Sequence, residues 1–311
     1  MTAETRHSAL LPSLAIILSA VFWGSMWMPL HAAYGTGLSG AWVAWLIYGV
    51  PAVLVLPLIL RDRGRGLMAG GWPLLWLGVS TGICNYLYAA SVVYGDVARI
   101  VLLFYVNPVW SVLLERMILK TRITPGRSAA LAVGLIGMFI LNYDGEGLPL
   151  PRTIAEWGGL AAGFCWAIGL VTMRMTPEVG MAEKAFLQYV TAMIFGGAVL
   201  ALGIFPVQTD WSAVDWPAAI LWIAIVAGIW VVPGLLLSFW AAARLSPTRA
   251  SMLFMAEVVV GVVTAAIWTD YPFGWREAIG GLVIVSASVL EIVFGAHAPT
   301  AAKTTGETGT A

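Results

Sequence analysis

One acidic residue, Glu257, lies near the middle of a largely apolar run at 247–268. If this run crosses a bilayer, a carboxylate at that depth costs about 2.5–3.5 kcal/mol on insertion scales, so some interaction must compensate for it. Binding the amine of a substrate and carrying a proton would both do so. A protonated carboxyl group that bonds to backbone between packed helices would need no function. We expect a substrate or proton site, and this structural alternative stays open.

A second apolar run, 97–119, has a proline at its centre, Pro108. Proline removes a backbone hydrogen bond and bends a helix, and the freed carbonyl must face protein or a wet cavity. Tyr105 lies one turn before Pro108, and Phe254 lies one turn before Glu257. We predict that Tyr105 and Phe254 line a cavity with Glu257. Pro108 is then a candidate hinge, as is Pro233 in the run 215–238.

Four more polar or aromatic side chains lie at mid-span depth: Trp23, Asn85, Tyr86 and Trp166. A buried amide such as Asn85 can bind a ligand or hydrogen-bond a neighbouring helix. The two tryptophans could stack on an aromatic or quaternary substrate, or pack between helices. Other tryptophans, such as Trp275, lie at the ends of apolar runs, where interfacial Trp is typical. We predict substrate contacts for these four residues.

Several classes of chemistry lack the residues that they require. The three histidines lie near the chain ends or a span end, and no His, Cys, Asp and Glu share metal-ligand spacing. The sequence contains no Walker-type loop and no Gly-x-Ser-x-Gly elbow. Cys84 and Cys165 both lie inside apolar runs, which fits small buried residues better than a disulfide framework. We therefore predict no enzyme activity, no cofactor and no metal.

The composition indicates that lipid surrounds these residues. Of the 311 residues, 60% are hydrophobic and only 10% are charged, and the mean hydropathy is +0.89. Soluble domains carry roughly 25% charged residues, which cover a surface exposed to water. The formal net charge is zero, which argues against nucleic acid as a partner. The composition is that of an integral membrane protein.

Ten apolar runs are long enough to cross a bilayer as helices, which takes about 20 residues. They are 10–31, 40–60, 72–94, 97–119, 125–142, 155–174, 183–204, 215–238, 247–268 and 275–294. The predicted organisation follows from them. It comprises an N-terminal cytoplasmic tail at 1–8, a five-helix unit at 9–143, an outer linker at 144–154, a second five-helix unit at 155–294 and a disordered cytoplasmic tail at 295–311.

The basic residues predict the orientation of these helices. With the N-terminus inside, 13 of the 16 Lys and Arg fall in cytoplasmic segments, and only Arg99, Arg152 and Arg276 fall on the other face. Such an excess is the positive-inside signal. We predict a multi-pass protein of a bacterial-type inner membrane with both termini in the cytoplasm.

The two five-helix units share short patterns in the same order. Trp23-Gly24 corresponds to Trp166-Ala167, and Leu103-Phe-Tyr-Val-Asn-Pro108 is followed by Leu253-Phe-Met-Ala-Glu257 about 150 residues later. Because five is an odd number, the second copy must enter the membrane in the opposite orientation. The predicted fold class is an all-α integral membrane protein with ten transmembrane helices in two inverted five-helix repeats.

These patterns resemble the drug/metabolite transporter superfamily, and within it the EamA-type exporters. The resemblance depends on Trp23-Gly24, on the helix with a central proline at Pro108, and on the basic hairpin that starts at Lys120 before the Gly-rich fifth helix. The chain is most similar to the YddG-type exporters of aromatic amino acids. It departs from the family at Glu257, where a proline matching Pro108 is usual.

The resemblance implies a secondary transporter that exports small amphipathic metabolites, with aromatic or neutral amino acids favoured, by alternating access around a central cavity. Proton coupling and facilitated diffusion both stay open. Monomer and homodimer stay open as well, because Ala130-x-x-x-Gly134 could pack helices within one chain or between two. One alternative is a carrier of drugs or other metabolites. Another is an intramembrane enzyme that acts on lipid intermediates, although the sequence shows no catalytic group in the loops.

Overall fold

The structure is a computed structural model that describes residues 3–61, 64–95, 97–121, 124–142, 150–205, 208–268 and 274–294. The predicted tail at 295–311 lies outside these residues, as do residues 144–149 of the predicted outer linker. The first helix begins at Ala3, inside the segment that was predicted as an N-terminal tail.

All the regular structure of the described residues is helical. The first half contains α1 (Ala3–Ser25), α2 (Trp27–Tyr34), α3 (Gly40–Arg61), α4 (Arg65–Tyr94), α5 (Val97–Phe104), α6 (Asn107–Ile118) and α7 (Pro125–Asn142). The second half contains α8 (Ile154–Met175), α9 (Met181–Leu202), α10 (Trp216–Ile225), a π-helical segment (Val226–Val231), α11 (Val232–Ala242), α12 (Pro247–Phe254), α13 (Ala256–Trp268) and α14 (Trp275–Phe294).

Eight helical stretches of the described residues are long and apolar enough to cross a membrane. Where a break divides a stretch into two helices, as between α5 and α6 or between α12 and α13, the two helices count as one of the eight. A shorter apolar helix covers Pro125–Leu141. The architecture is therefore all-helical with multiple apolar helices of membrane-crossing length, and the count of ten spans stays a prediction.

The break between α5 and α6 has a local cause. Pro108 has no N–H with which to bond the carbonyl of Phe104, four residues earlier. The side-chain amide of Asn107 donates to that carbonyl instead, at 3.1 Å. The helix stops at Phe104 and restarts at Asn107. The carbonyl that proline frees is thus satisfied within the same helix break.

Pro233 lies in the first turn of α11, directly after the π-helical segment Val226–Val231. A π-helical turn contains one residue more per hydrogen-bonded ring than an α-helical turn and often occurs at functional sites. The predicted hinge therefore falls at a change of helix type, where the backbone hydrogen bonding of the long helix is irregular.

Helices of the first half pack mainly against helices of the second. α4 packs on α8 and α9, α7 on α14, and α1 on α11 and α13. Ala130 is buried, and a Cβ atom added at Gly134 would come within 2.9 Å of the Met255 sulfur and 3.4 Å of Ala287 Cβ. The small-residue face of α7 is therefore occupied within the chain.

Candidate functional site

A cavity of about 310 Å³ lies between α1, α2, α4, α5, α7 and α13. It is bounded by the C-terminal parts of α4 and α7 and by the first part of α5. These are the helix ends opposite to the end at which the chain begins. Its walls are mostly apolar, and the lining residues with polar groups are Trp23, Trp27, His31, Tyr88, Tyr105 and Glu257.

Glu257 supplies the carboxyl group of this cavity. The Tyr105 hydroxyl lies 2.7 Å from Glu257 Oε2, and the Tyr88 hydroxyl lies 3.4 Å from Glu257 Oε1. Glu257 is also in the first turn of α13, where the partial positive charge of a helix N-terminus favours a carboxylate. Two hydroxyl groups and a helix dipole therefore compensate for the burial of this group.

The second helix break brings Tyr105 and Glu257 together. α12 ends at Phe254, and α13 begins at Ala256. The N–H of Val258 bonds to the carbonyl of Met255 at 3.2 Å, while the carbonyl of Phe254 accepts the Tyr105 hydroxyl at 2.9 Å. A tyrosine hydroxyl has one proton and two lone pairs. It can donate to an ionised Glu257, or donate to Phe254 while a protonated Glu257 donates to it.

A glycine allows α1 to approach this break closely. A Cβ atom at Gly24 would lie 2.4 Å from the carbonyl oxygen of Glu257 and 2.9 Å from Val260 Cβ. Only glycine leaves room for backbone at such a distance. Gly24 therefore determines how near the cavity wall of α1 lies to the carboxyl group.

A smaller cavity of about 30 Å³ shares three residues, Trp23, Tyr88 and Glu257, with the large one. This volume is large enough to hold water. Its other lining residues are Cys84, Asn85, Phe104, Trp166 and Phe254. The ring of Trp166 meets that of Phe254 edge-on, with their centroids 5.3 Å apart, so aromatic rings line the small cavity together with Glu257.

Hydrogen bonds from indole groups join α1 and α2 to the second half of the chain. Trp23 Nε1 donates to Ser238 Oγ at 3.1 Å, and Trp27 Nε1 donates to Thr264 Oγ1 at 3.0 Å. Both residues line the large cavity, and their N–H groups are already occupied. They offer stacking surface to a ligand rather than hydrogen bonds.

Comparisons with known proteins bear on the same arrangement. The model of the EamA-like transporter family matches the chain twice, at residues 10–143 and 153–293. The chain belongs to the EamA-like transporter family. With its apolar helices, this membership makes it a multi-pass membrane protein, and it indicates transport of a small molecule rather than catalysis.

Individual relatives of this EamA-like transporter are distant. It is 22% identical to a biotin transporter of Escherichia coli K12 over 283 residues, which is 88% of this chain and 90% of that protein. It is 29% identical to a riboflavin transporter of Brucella anthropi over 109 residues, and this match spans only 38% of that protein. A solved crystal structure covers 92% of the chain with a TM-score of 0.65 at 18% identity, which shows a shared fold.

The predicted site residues of this EamA-like transporter fall into two groups. Six of them line one or both cavities: Trp23, Asn85, Tyr105, Trp166, Phe254 and Glu257. Tyr86 lies elsewhere, because its buried ring packs against Phe195 and Gly196 of α9. Asn85 lines the small cavity, but its amide nitrogen already donates to the Thr81 carbonyl at 3.0 Å.

The sequence analysis missed Tyr88 as a site residue, although Tyr88 belongs to both cavities and contacts Glu257. The available signal was its helical spacing from Asn85, which places both residues on one face of α4. It also missed His31, which lines the large cavity. Within the residues that the structure describes, no three His, Cys, Asp or Glu side chains form a group that could hold a metal ion.

Proposed function

We propose that this EamA-like transporter is a secondary transporter that exports small amphipathic metabolites, with aromatic or neutral amino acids as the favoured class. The observation that carries the proposal is the large cavity, where two tyrosine hydroxyls hydrogen-bond the Glu257 carboxyl group and aromatic rings form part of the lining. Its volume of about 310 Å³ lies at the lower end of the range for small-molecule pockets, about 300–1,000 Å³.

The chemistry of the lining favours a substrate with an amine. Among the residues that the structure describes, no Lys or Arg lines either cavity, whereas both cavities include Glu257. A cationic group would pair with this carboxylate, and the tryptophan and phenylalanine rings would contact an apolar or aromatic body. Biotin, by contrast, carries a carboxylate and no amine, so it would place like charges together near an ionised Glu257.

The proposal includes a topology and a mechanism. Ten spans would form two inverted repeats in a bacterial inner membrane, with both termini in the cytoplasm. The helix breaks at Tyr105–Val106 and at Met255 would let the two halves bend, and so open the cavity to each side in turn. Glu257 would exchange its proton for the substrate amine if transport is coupled to a proton gradient.

Flux measurements with reconstituted protein test this proposal. The purified chain is placed in liposomes, and labelled tryptophan, phenylalanine and threonine are followed with and without a pH gradient. We expect saturable flux of one amino-acid class in protein-containing liposomes only. The Glu257→Gln variant tests the carboxyl group, and Glu178→Gln, at an exposed position between α8 and α9, is the matched control.

Each outcome has a distinct meaning. Loss of gradient dependence in Glu257→Gln, with the control unchanged, assigns the coupled proton to Glu257. Equal flux in both variants would contradict a role for this residue. If correctly folded protein carries none of the three amino acids, the amino-acid assignment falls, and riboflavin, biotin and quaternary amines become the next substrates to test.

A further inference from the structure

Four charged residues are buried together at the end of the bundle where the chain begins. This charge cluster consists of Glu115 at the end of α6, Arg127 at the start of α7, Arg249 at the start of α12 and Glu291 near the end of α14. Each is at most 6% exposed. The cluster therefore lies at the helix ends opposite to those that surround the large cavity.

The contacts of the charge cluster join the two halves of the chain. Arg127 Nε lies 3.3 Å from Glu291 Oε1, and the same guanidinium donates to Ser246 Oγ at 2.6 Å. Glu115 Oε2 accepts from the Thr248 N–H at 2.9 Å and from its hydroxyl at 2.5 Å. Arg127 also lies 3.6 Å from Glu115 Oε1, which is a contact within the first half.

A fourth contact between the halves reaches the first helix. Arg249 Nη2 donates to Ser13 Oγ of α1 at 3.1 Å. The cluster thereby connects α1, α6 and α7 of the first family match with α12 and α14 of the second. Any motion that separates the two halves at this end must break these contacts together.

The cluster is a poor device for stability alone. Removing two charges from water costs about as much as their attraction returns, and an apolar packing of the same volume is often better. Two of its polar atoms, Arg249 Nε and Glu291 Oε2, also have no hydrogen-bond partner among the described residues. Contacts that are incompletely satisfied are easier to exchange for water than a dry apolar seam.

A line of buried polar side chains runs from the charge cluster toward the small cavity. Asn107, Ser111 and Glu115 follow each other at four-residue spacing on one face of α6, which we call the polar stripe. Asn107 and Ser111 are 0% exposed, yet Asn107 Oδ1 and Ser111 Oγ have no partner among the described residues. Polar atoms that are buried without partners in a membrane bundle indicate that this surface contacts water or a polar ligand in another conformation.

We propose that the polar stripe is the half of the substrate path that is closed in this structure, and that the charge cluster is its gate. The inference rests on the proposed transport function and extends it. The stripe starts at Asn107, next to Phe104 of the small cavity, and ends in the cluster at Glu115. When the ion pairs between the two halves separate, water enters the polar stripe. The cavities around Glu257 then open to the end of the bundle where the chain begins.

Thiol labelling tests the gate without any substrate. Ser111→Cys is made in a Cys84→Ala/Cys165→Ala background and placed in lipid nanodiscs, where both membrane faces are accessible to a membrane-impermeant maleimide. With the cluster intact we expect slow labelling. Arg127→Gln or Glu291→Gln should accelerate it about tenfold or more, because the closed state loses ion pairs that the open state does not have. Arg127→Lys keeps the charge and should label slowly.

Two controls separate gating from general loosening. Arg99→Gln breaks the Arg99–Glu156 pair, whose atoms lie 3.1 Å apart at the opposite helix ends, and should leave labelling of Ser111→Cys slow. Ala44→Cys introduces a thiol at a fully buried position of α3 outside both cavities, and should stay unlabelled throughout.

Fast labelling of Ser111→Cys only when the cluster is broken supports the gate. Equal rates with and without the cluster overturn it, and so does parallel acceleration at Ala44→Cys, because the bundle has then loosened as a whole. Since no transport is measured, a chain that carries none of the tested amino acids can still pass or fail this test.

Discussion

The hydroxyl of Tyr105, in the α5–α6 break, lies 2.7 Å from Oε2 of Glu257, in the first turn of α13. It also lies 2.9 Å from the carbonyl of Phe254, where α12 stops. One phenol thus joins the interrupted helix of the first half to the interrupted helix of the second. A change in the protonation of Glu257 alters which acceptor this phenol can serve, so the contact couples the carboxyl group to the backbone of the break.

We predict that Tyr105→Phe weakens substrate transport about tenfold while the chain still folds. The change removes one hydrogen bond to a group that is charged when ionised, which is worth about 1.5–3 kcal/mol. The matched control is Tyr189→Phe, because the Tyr189 hydroxyl is buried without a partner among the described residues. Flux in liposomes measures the effect, and equal flux in both variants would refute the role of the Tyr105 hydroxyl.

Helical spacing is enough to predict part of the candidate site. Tyr105 lies one turn before Pro108, and Glu257 occupies the corresponding position to Pro108 in the second half. These two positions predict that both side chains face a cavity. Spacing could not choose between Asn85 and Tyr86, since neighbouring residues lie about 100° apart around a helix. The packing of α4 on α9 makes that choice: it buries Tyr86 against Gly196 and leaves Asn85 at the small cavity.

The rest of the site depends on contacts between distant parts of the chain. No proline marks the break at Met255, so no local pattern predicts that α12 ends there. The charge cluster could not be predicted from the sequence either, because Arg127 and Glu115 each look like ordinary charged residues near the end of a span. Their burial follows from packing against Thr248 and Glu291 in the other half, which no periodicity encodes.

Gly24→Ala is expected to destabilise the chain by about 1–3 kcal/mol, as overpacking of a tight contact does. The added methyl group would lie 2.4 Å from the Glu257 carbonyl, so α1 and α13 would have to move apart. In the control, Gly197→Ala, the nearest atom would be Trp45 Nε1 at an ordinary 3.6 Å. Thermal unfolding in detergent, followed by tryptophan fluorescence, measures both. A Gly24→Ala protein as stable as the control would mean that this contact is not a constraint.

Pro108→Ala tests the hinge. Alanine restores an N–H that can bond the Phe104 carbonyl, so we expect stability to be retained, because Pro108 lies in the first turn of α6, where proline is tolerated and its replacement changes little. A straighter α5–α6 would carry Tyr105 away from Glu257, so transport should fall several-fold despite the intact fold. Pro57→Ala, at an exposed position in α3, is the control and should transport normally. Unchanged flux in Pro108→Ala would show that the break is not needed for transport.

Trp166→Leu distinguishes an aromatic substrate from an aliphatic one. The Trp166 ring meets Phe254 edge-on and lines the small cavity beside Glu257. This cavity is too small for a substrate ring, so an aromatic substrate in the large cavity would contact Trp166 only if the two cavities merge at Glu257, which lines both. Such ring contacts are worth about 0.5–1.5 kcal/mol beyond area burial, so KM for tryptophan should rise about two- to tenfold. KM for threonine should change less, because a small aliphatic body makes no ring contact. The matched control is Trp275→Leu, because Trp275 is 85% exposed and lines neither cavity. An equal rise for both substrates would mean that Trp166 shapes the cavity without selecting aromatic substrates, and no rise for either would place the substrate outside the small cavity.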